Sequence, residues 1–161
     1  MNQPCRHRHR HRHATATPPA TVMHHVFVYG TLKQGFSNFH VNGGQRVPGR
    51  FVTVQRLPLY IVGAELVPWL VDAPGRGEHV IGEVYAVDDR VLADMDVLEQ
   101  VDEAGWYTRR TIAVRPLEAP ATAPMTVFVY FGDPQRVARE GAHAGPLAEF
   151  SAEQDRRYRG G

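Results

Sequence analysis

Two short stretches hold the residue types that chemistry would need. In His25-Val26-Phe27-Val28-Tyr29-Gly30-Thr31-Leu32-Lys33-Gln34-Gly35, the strand-forming residues Val26 to Tyr29 run straight into Gly30, a small hydroxyl residue and, soon after, a second glycine. This pattern reads as a buried strand ending in a loop whose backbone can come close to a ligand. Amide N–H groups beyond an abruptly ended strand have no ladder partners, and each must find an acceptor in the protein or on a bound anion. The loop is therefore a candidate cradle for an oxyanion or a carboxylate, against the plainer alternative of an ordinary strand-to-turn transition. A side chain at Gly30 would fill the space such an anion needs or demand a left-handed φ.

The second stretch is a helix that ends on a carboxylate. Asp88 suits an N-cap, Asp89 complements the positive end of the helix dipole, and Val87 with Leu92 fits a hydrophobic staple. The apolar stripe is Val91, Leu92, Met95 and Leu98, and at about 100° per residue Glu99 falls roughly 40° from its centre. A glutamate between a helix and a sheet is desolvated, which disfavours its charged form and moves it towards proton exchange near neutral pH. The alternative is a last-turn residue whose flexible side chain reaches water. Asp94, Asp96, Asp102 and Glu103 read as a solvated acidic surface.

The elements around these stretches are mostly short strands. Apolar runs broken by Gly49, Pro58, Gly63 and Pro68 predict strands at Arg50 to Val52, Leu59 to Val62 and Trp69 to Val71, turning tightly within one sheet or barrel. His79 to Val87 predicts a longer strand in which Gly82 marks a bulge or a close approach by another backbone. Trp106 to Val114 and Met125 to Phe131 complete the set. Phe36 to His40 reads as a surface turn, with Asn38 and His40 able to face the opening loop. Beyond Gly132 the periodicity is weak, and an apolar cluster at Pro146, Leu147 and Phe150 is available to dock.

Composition bounds the class. At 161 residues, 43% hydrophobic and 22% charged, the chain suits one soluble domain with a real core. Residues 1–22 read as a disordered tail, and residues 23–161 as a single domain. The alternating run Arg6 to His13 holds four of the 18 basic residues, which leaves 14 against 17 acidic ones, so the remainder is not basic. If extended, that run would align four imidazoles as a metal chelate, opposed by the interleaved cations; a metal- or RNA-binding arm is the alternative to disorder. The lone Cys5 offers no nucleophile to the domain, and no apolar run reaches the roughly 20 residues of a membrane span. A reducing, cytoplasmic setting is the expectation.

In order and spacing, Val26 to Lys33, Gly82-Glu83-Val84-Tyr85-Ala86-Val87-Asp88, Asp96-Val97-Leu98-Glu99 and Tyr107-Thr108-Arg109 resemble the γ-glutamylcyclotransferase family. Pro68-Trp69-Leu70 and Phe128-Val129-Tyr130 point to its amine-specific branch, and the match spans about Val26 to Tyr130. The resemblance implies an α+β fold, a small mixed β-barrel with flanking helices. It implies that Tyr29, Gly30, Thr31 and Leu32 bind a γ-glutamyl group and that Glu99 is the acid/base. The expected reaction releases 5-oxoproline and a free amine from γ-glutamyl amines such as γ-glutamyl-ε-lysine. The substrate's own α-amine attacks, so no metal or cofactor is required. The expected partner is this small molecule, with neither nucleic acid nor membrane. Alternatives are a cyclotransferase for γ-glutamyl amino acids or for a γ-glutamyl-protected biosynthetic intermediate, and a non-catalytic γ-glutamyl-binding module. Departures from the family pattern lie before Met23, at Phe39, where the amine-specific branch resembles a histidine, and in the C-terminal segment, whose only echo is Arg157-Tyr158.

Overall fold

The computed structural model describes residues 22–160. The tail reading, including its metal- or RNA-binding alternative, lies outside the described residues apart from Val22. In chain order the elements are β1 (His24–Val28), a 3-10 turn (Phe39–Val41), β2 (Gln45–Arg46), β3 (Phe51–Thr53), β4 (Leu59–Val62), β5 (Val67–Leu70) and β6 (Ile81–Val87). They continue with α1 (Asp89–Leu98), β7 (Tyr107–Pro116), β8 (Met125–Gly132), α2 (Pro134–Glu140), β9 (Ala142–Ala144) and α3 (Ala152–Arg157).

The unbroken apolar run at β1 reflects a strand covered on both faces. Phe27 and Tyr29 join Phe51, Val84, Val114 and Val129 in one buried cluster, while Val26 and Val28 join Trp69, Tyr85, Leu92 and Met95 in another. The two-residue repeat of a strand sorts them so. β1 pairs with β6 antiparallel, from His24 opposite Val87 to Val28 opposite Glu83, and with β8 in parallel through Val26 and Phe128. Antiparallel pairings of β8 with β7, β7 with β3 and β3 with β6 close the ring. The result is an α+β fold: a closed five-stranded mixed barrel with, among the described residues, three flanking α-helices. β2 adds to the outside of β6, and β5, β4 and β9 form a second, antiparallel sheet.

The expected helix starts where its sequence says it should. The Asp88 carboxylate accepts from the Val91 N–H at 2.9 Å, and Leu92 and Met95 are buried. At Gly82 the outcome is the close approach: a Cβ there would lie 2.4 Å from the Val28 carbonyl oxygen.

The C-terminal segment is more ordered than its weak periodicity suggests. Asp133 caps α2, with Pro134 in its first turn, and Ser151 with Gln154 forms a full capping box on α3. Phe150 is fully buried and belongs to the β1 and β8 cluster, so this segment contributes to the core.

Gly132, at the end of β8, lies against the fully buried Trp69 indole, and a Cβ built there would be 2.2 Å from Cε2. The indole is itself held by its Nε1–H donating to the Asp133 carbonyl at 2.8 Å, so it has little room to yield. Gly132→Ala is expected to destabilise the protein by about 2 kcal/mol, the usual range for an overpacked core, measured by urea unfolding with m unchanged.

Candidate active site

The loop after β1 is turned so that its two kinds of backbone group face opposite ways. The Gly30 carbonyl accepts from Lys33 N–H at 3.1 Å, the Thr31 carbonyl from Asn38 N–H at 2.9 Å, and the Leu32 carbonyl from Asn42 Nδ2 at 3.1 Å. All three acceptors are thus satisfied by the chain, while among the described residues nothing accepts from the N–H of Gly30, Thr31 or Leu32. These three residues line a cavity of about 200 Å³. Unpaired consecutive amides beside a cavity form an anion-binding concavity. The constraint at Gly30 is steric, not conformational: it has no left-handed φ, and a Cβ would lie 2.7 Å from Pro68 Cγ.

Glu99 lines the same cavity. It is the C-cap of α1, its N–H still bonded to the Met95 carbonyl at 2.9 Å, and Gln100 ends the helix with a left-handed φ of 51°. The last turn is pinned by Asp96, which accepts from Tyr130 OH at 2.7 Å and from Arg109 Nη1 at 2.6 Å. Asp96 therefore departs from the solvated surface expected of it, whereas Asp94, Asp102 and Glu103 are exposed. Glu99 itself is half-buried as a residue, with no hydrogen-bond or ionic partner for its carboxylate among the described residues; burial alone pushes its pKa up to about 8.

Four tyrosines surround that carboxylate: Tyr29, Tyr107, Tyr130 and Tyr158 all line the cavity. Burial raises the pKa of each, with the Glu99 charge adding to the effect. They come from the end of β1, from β7, from β8 and from the residue after α3. Asn38, read as part of a surface turn, is buried and donates to Thr31 Oγ1 at 2.9 Å, so it braces the loop. His40 is exposed and does not line the cavity, and Phe39 also lies outside the lining, packed on Tyr85 with ring centroids 6.1 Å apart.

The structure thus brings Tyr29, Gly30, Thr31, Leu32 and Glu99 to one cavity. Sequence reasoning missed Glu65 and Trp106, named Asn38 only as able to face the loop, and gave Tyr107, Tyr130 and Tyr158 no role in the site although all three stand in stretches that echo the family pattern. The 18 lining residues include two glutamates, Glu65 and Glu99, and no Lys, Arg or His.

The raised pKa has a stability cost with a definite sign. Below the ordinary carboxylate pKa Glu99 is neutral in both states; as pH rises towards about 8 the unfolded chain releases a proton that the folded protein retains, so stability falls. Glu99→Gln is expected to melt several degrees above wild type at pH 8.5 or so, with the gap closing near pH 4.5, in a calorimetric pH series.

Comparison with known proteins gives one answer. The model of the family described as "Gamma-glutamyl cyclotransferase, AIG2-like" matches residues 26–149. A γ-glutamylaminecyclotransferase from Mus musculus is 42% identical over 101 residues, 60% of this chain and 66% of the relative, just under two thirds of its length. The Homo sapiens γ-glutamylaminecyclotransferase is 39% identical over 118 residues, 65% of this chain and 76% of that one. A crystal structure of an AIG2-like protein from Mus musculus superposes with a TM-score of 0.67 at 33% identity, covering 86% of this chain and 95% of the other. With 124 residues under the family model and the same barrel in a solved relative, this chain belongs to the γ-glutamyl cyclotransferase, AIG2-like family.

Proposed function

We propose that this protein is a cyclotransferase that releases 5-oxoproline and a free amine from γ-glutamyl amines, γ-glutamyl-ε-lysine being representative. The observation that carries the reading is the unpaired, desolvated Glu99 carboxyl sharing a small cavity with three unpartnered amides. A γ-glutamyl amide brings its own nucleophile, so the protein must fold the substrate, move protons and hold negative charge. Folding the substrate so that the α-amine meets the γ-carbonyl is worth effective molarities of about 10⁵ M or more.

The protons balance as follows. The α-ammonium loses one proton to solvent, and the amine nitrogen attacks the γ-carbonyl carbon, forming the C–N bond of the five-membered ring while the carbonyl electrons move to oxygen. Glu99 takes the second proton from the attacking nitrogen. The carbonyl then re-forms, the original C–N bond breaks, and Glu99 returns its proton to the departing nitrogen. Proton transfer of this kind contributes roughly 10²–10⁴ in rate, and a lost hydrogen-bond donor to the oxyanion costs about 10²–10³.

The preference for amines over amino acids is supported by the charge of the wall. A γ-glutamyl α-amino acid carries a carboxylate beside the scissile nitrogen, which in this cavity would meet Glu99, a carboxyl with no cationic partner among the described residues, whereas Glu65 is already paired with Arg136. In the lysine isopeptide the leaving group's carboxylate lies at the far end of the side chain from the scissile nitrogen, beside an ammonium group.

Incubation of the pure protein with a panel of γ-glutamyl compounds, with chromatographic detection of 5-oxoproline, tests the reading. The lysine isopeptide is expected to react at least tenfold faster than γ-glutamyl-alanine; the reverse order moves the assignment to the dipeptide branch. Glu99→Gln should fold and bind yet lose about 10² or more in kcat. The wild-type kcat/KM should climb as pH rises through about 8, where Glu99 loses its proton, a limb absent from the Gln variant. In kcat this limb should lie at lower pH, since the bound α-ammonium favours the carboxylate. Near-normal turnover by folded Glu99→Gln removes the mechanism.

A further inference from the structure

Three of the four tyrosines around Glu99 have their hydroxyl protons committed to the protein. Tyr29 donates to the Tyr130 carbonyl at 2.6 Å, Tyr107 to the Pro68 carbonyl at 2.6 Å, and Tyr130 to Asp96 at 2.7 Å. Tyr158 differs. Its hydroxyl oxygen accepts from Asn38 Nδ2 at 3.4 Å, and among the described residues the hydroxyl donates to nothing. A half-buried hydroxyl on a cavity wall with an undirected proton is a donor awaiting an acceptor.

The position of Tyr158 is well defined. The Asp155 carboxylate accepts from the Ser37 N–H at 3.0 Å and from its hydroxyl, the Tyr158 N–H bonds to the Asp155 carbonyl at 3.1 Å, and the Arg159 N–H bonds to the Glu65 carbonyl at 2.7 Å. The segment after α3 is thereby stitched both to the loop that carries the free amides and to the turn that carries Glu65.

We propose that Tyr158 is a substrate-contacting catalytic residue, its hydroxyl donating to the γ-carbonyl oxygen and to the oxyanion that develops there. This rests on the cyclotransferase reading. Three successive amides suit the two oxygens of an α-carboxylate, which leaves the single γ-oxygen in need of a donor. With no Lys, Arg or His among the lining residues, a neutral hydroxyl supplies it. Titratable groups facing this hydroxyl are Glu99 from α1, Glu65 from the β4–β5 turn, Tyr29, Tyr107 and Tyr130 from the barrel, and Asp155 from α3; burial and these negative charges keep the phenol protonated.

Tyr158→Phe keeps the ring and deletes only the donor. Three readouts on wild type and variant test the assignment: melting temperature, kcat/KM for 5-oxoproline release from the lysine isopeptide, and the Kd of 5-oxoproline, which retains the γ-carbonyl oxygen, by calorimetric titration. The variant should melt within about 2 °C of wild type and lose at least tenfold in kcat/KM with its pH limb unmoved, since Glu99 is untouched. Unchanged kcat/KM overturns the proposal, and so does failure of the variant to fold, which makes Tyr158 a packing residue. If wild type binds 5-oxoproline but forms none, the cyclotransferase reading falls and Tyr158 stands or falls on whether its loss raises the Kd at least fivefold. Wild type that neither forms nor binds 5-oxoproline overturns both.

Discussion

A carboxyl group held out of water without a partner is costly, and the site is arranged around that cost at Glu99. Desolvation alone moves its proton affinity up to about 8, with no cation among the described residues that line the cavity to restore the charged form. An arginine or lysine on the wall would pair with Glu99, pull its pKa back down and leave a poor base near neutral pH. The exclusion of cations and the raised pKa are therefore one physical fact. It also dictates how an anionic substrate group is held, since in such a cavity negative charge must be met by neutral dipoles. The loop after β1 supplies them at Gly30, Thr31 and Leu32, whose carbonyls are all occupied on the protein side while, among the described residues, nothing accepts from their amides.

One turn of helix separates two carboxylates with different surroundings. Asp96 receives hydrogen bonds from Tyr130 and Arg109, which tie the end of α1 to β8 and β7. Glu99, three residues on, receives none. The first bond also fixes the direction of the Tyr130 proton, so that a hydroxyl next to Glu99 does not satisfy it. Carbonyls at Tyr130 and Pro68 do the same for Tyr29 and Tyr107. The nearby buried cation Arg136 pairs with Glu65 through Nη2 and with Glu140 through Nε, its Nη1 having no hydrogen-bond partner among the described residues, and its guanidinium lies 4.8 Å and 5.0 Å from the ring centroids of Trp69 and Trp106. The hydroxyl protons of Tyr29, Tyr107 and Tyr130 and the ion pairs of Arg136 are thus committed to groups other than Glu99.

The closed barrel gives this arrangement its rigidity. Both faces of β1 are buried, so the strand that delivers the loop cannot shift without opening one of two clusters. The C-terminal segment closes the remaining side: Phe150 fills the core, and its carbonyl accepts from the buried Lys33 Nζ at 2.5 Å, which ties the far end of the loop to the same segment.

The sequence by itself determined what depends on near neighbours. An unbroken run of strand formers from Val26 to Tyr29 stopping at Gly30 located the loop, a period of 3.6 from Asp88 placed Glu99 on the packed face of its helix, and the motifs in order identified the family and its barrel. The caps at Asp133 and Ser151 went unread in the sequence, because weak periodicity obscured the helices α2 and α3 that they start. Only the tertiary structure decided which side chains share the cavity. Tyr29, Tyr107, Tyr130 and Tyr158 stand as far as 129 positions apart in the chain and meet because β1 and β8 pair in parallel and the chain returns after α3. The helical wheel put Glu99 on the packed face and Asp96 on the solvated one, yet it is Asp96 that is bonded, because Arg109 and Tyr130 arrive from strands that no local pattern can bring to the helix. Local sequence sets periodicity and capping through contacts a few residues apart, whereas desolvation and hydrogen-bond direction depend on groups assembled by long-range strand pairing.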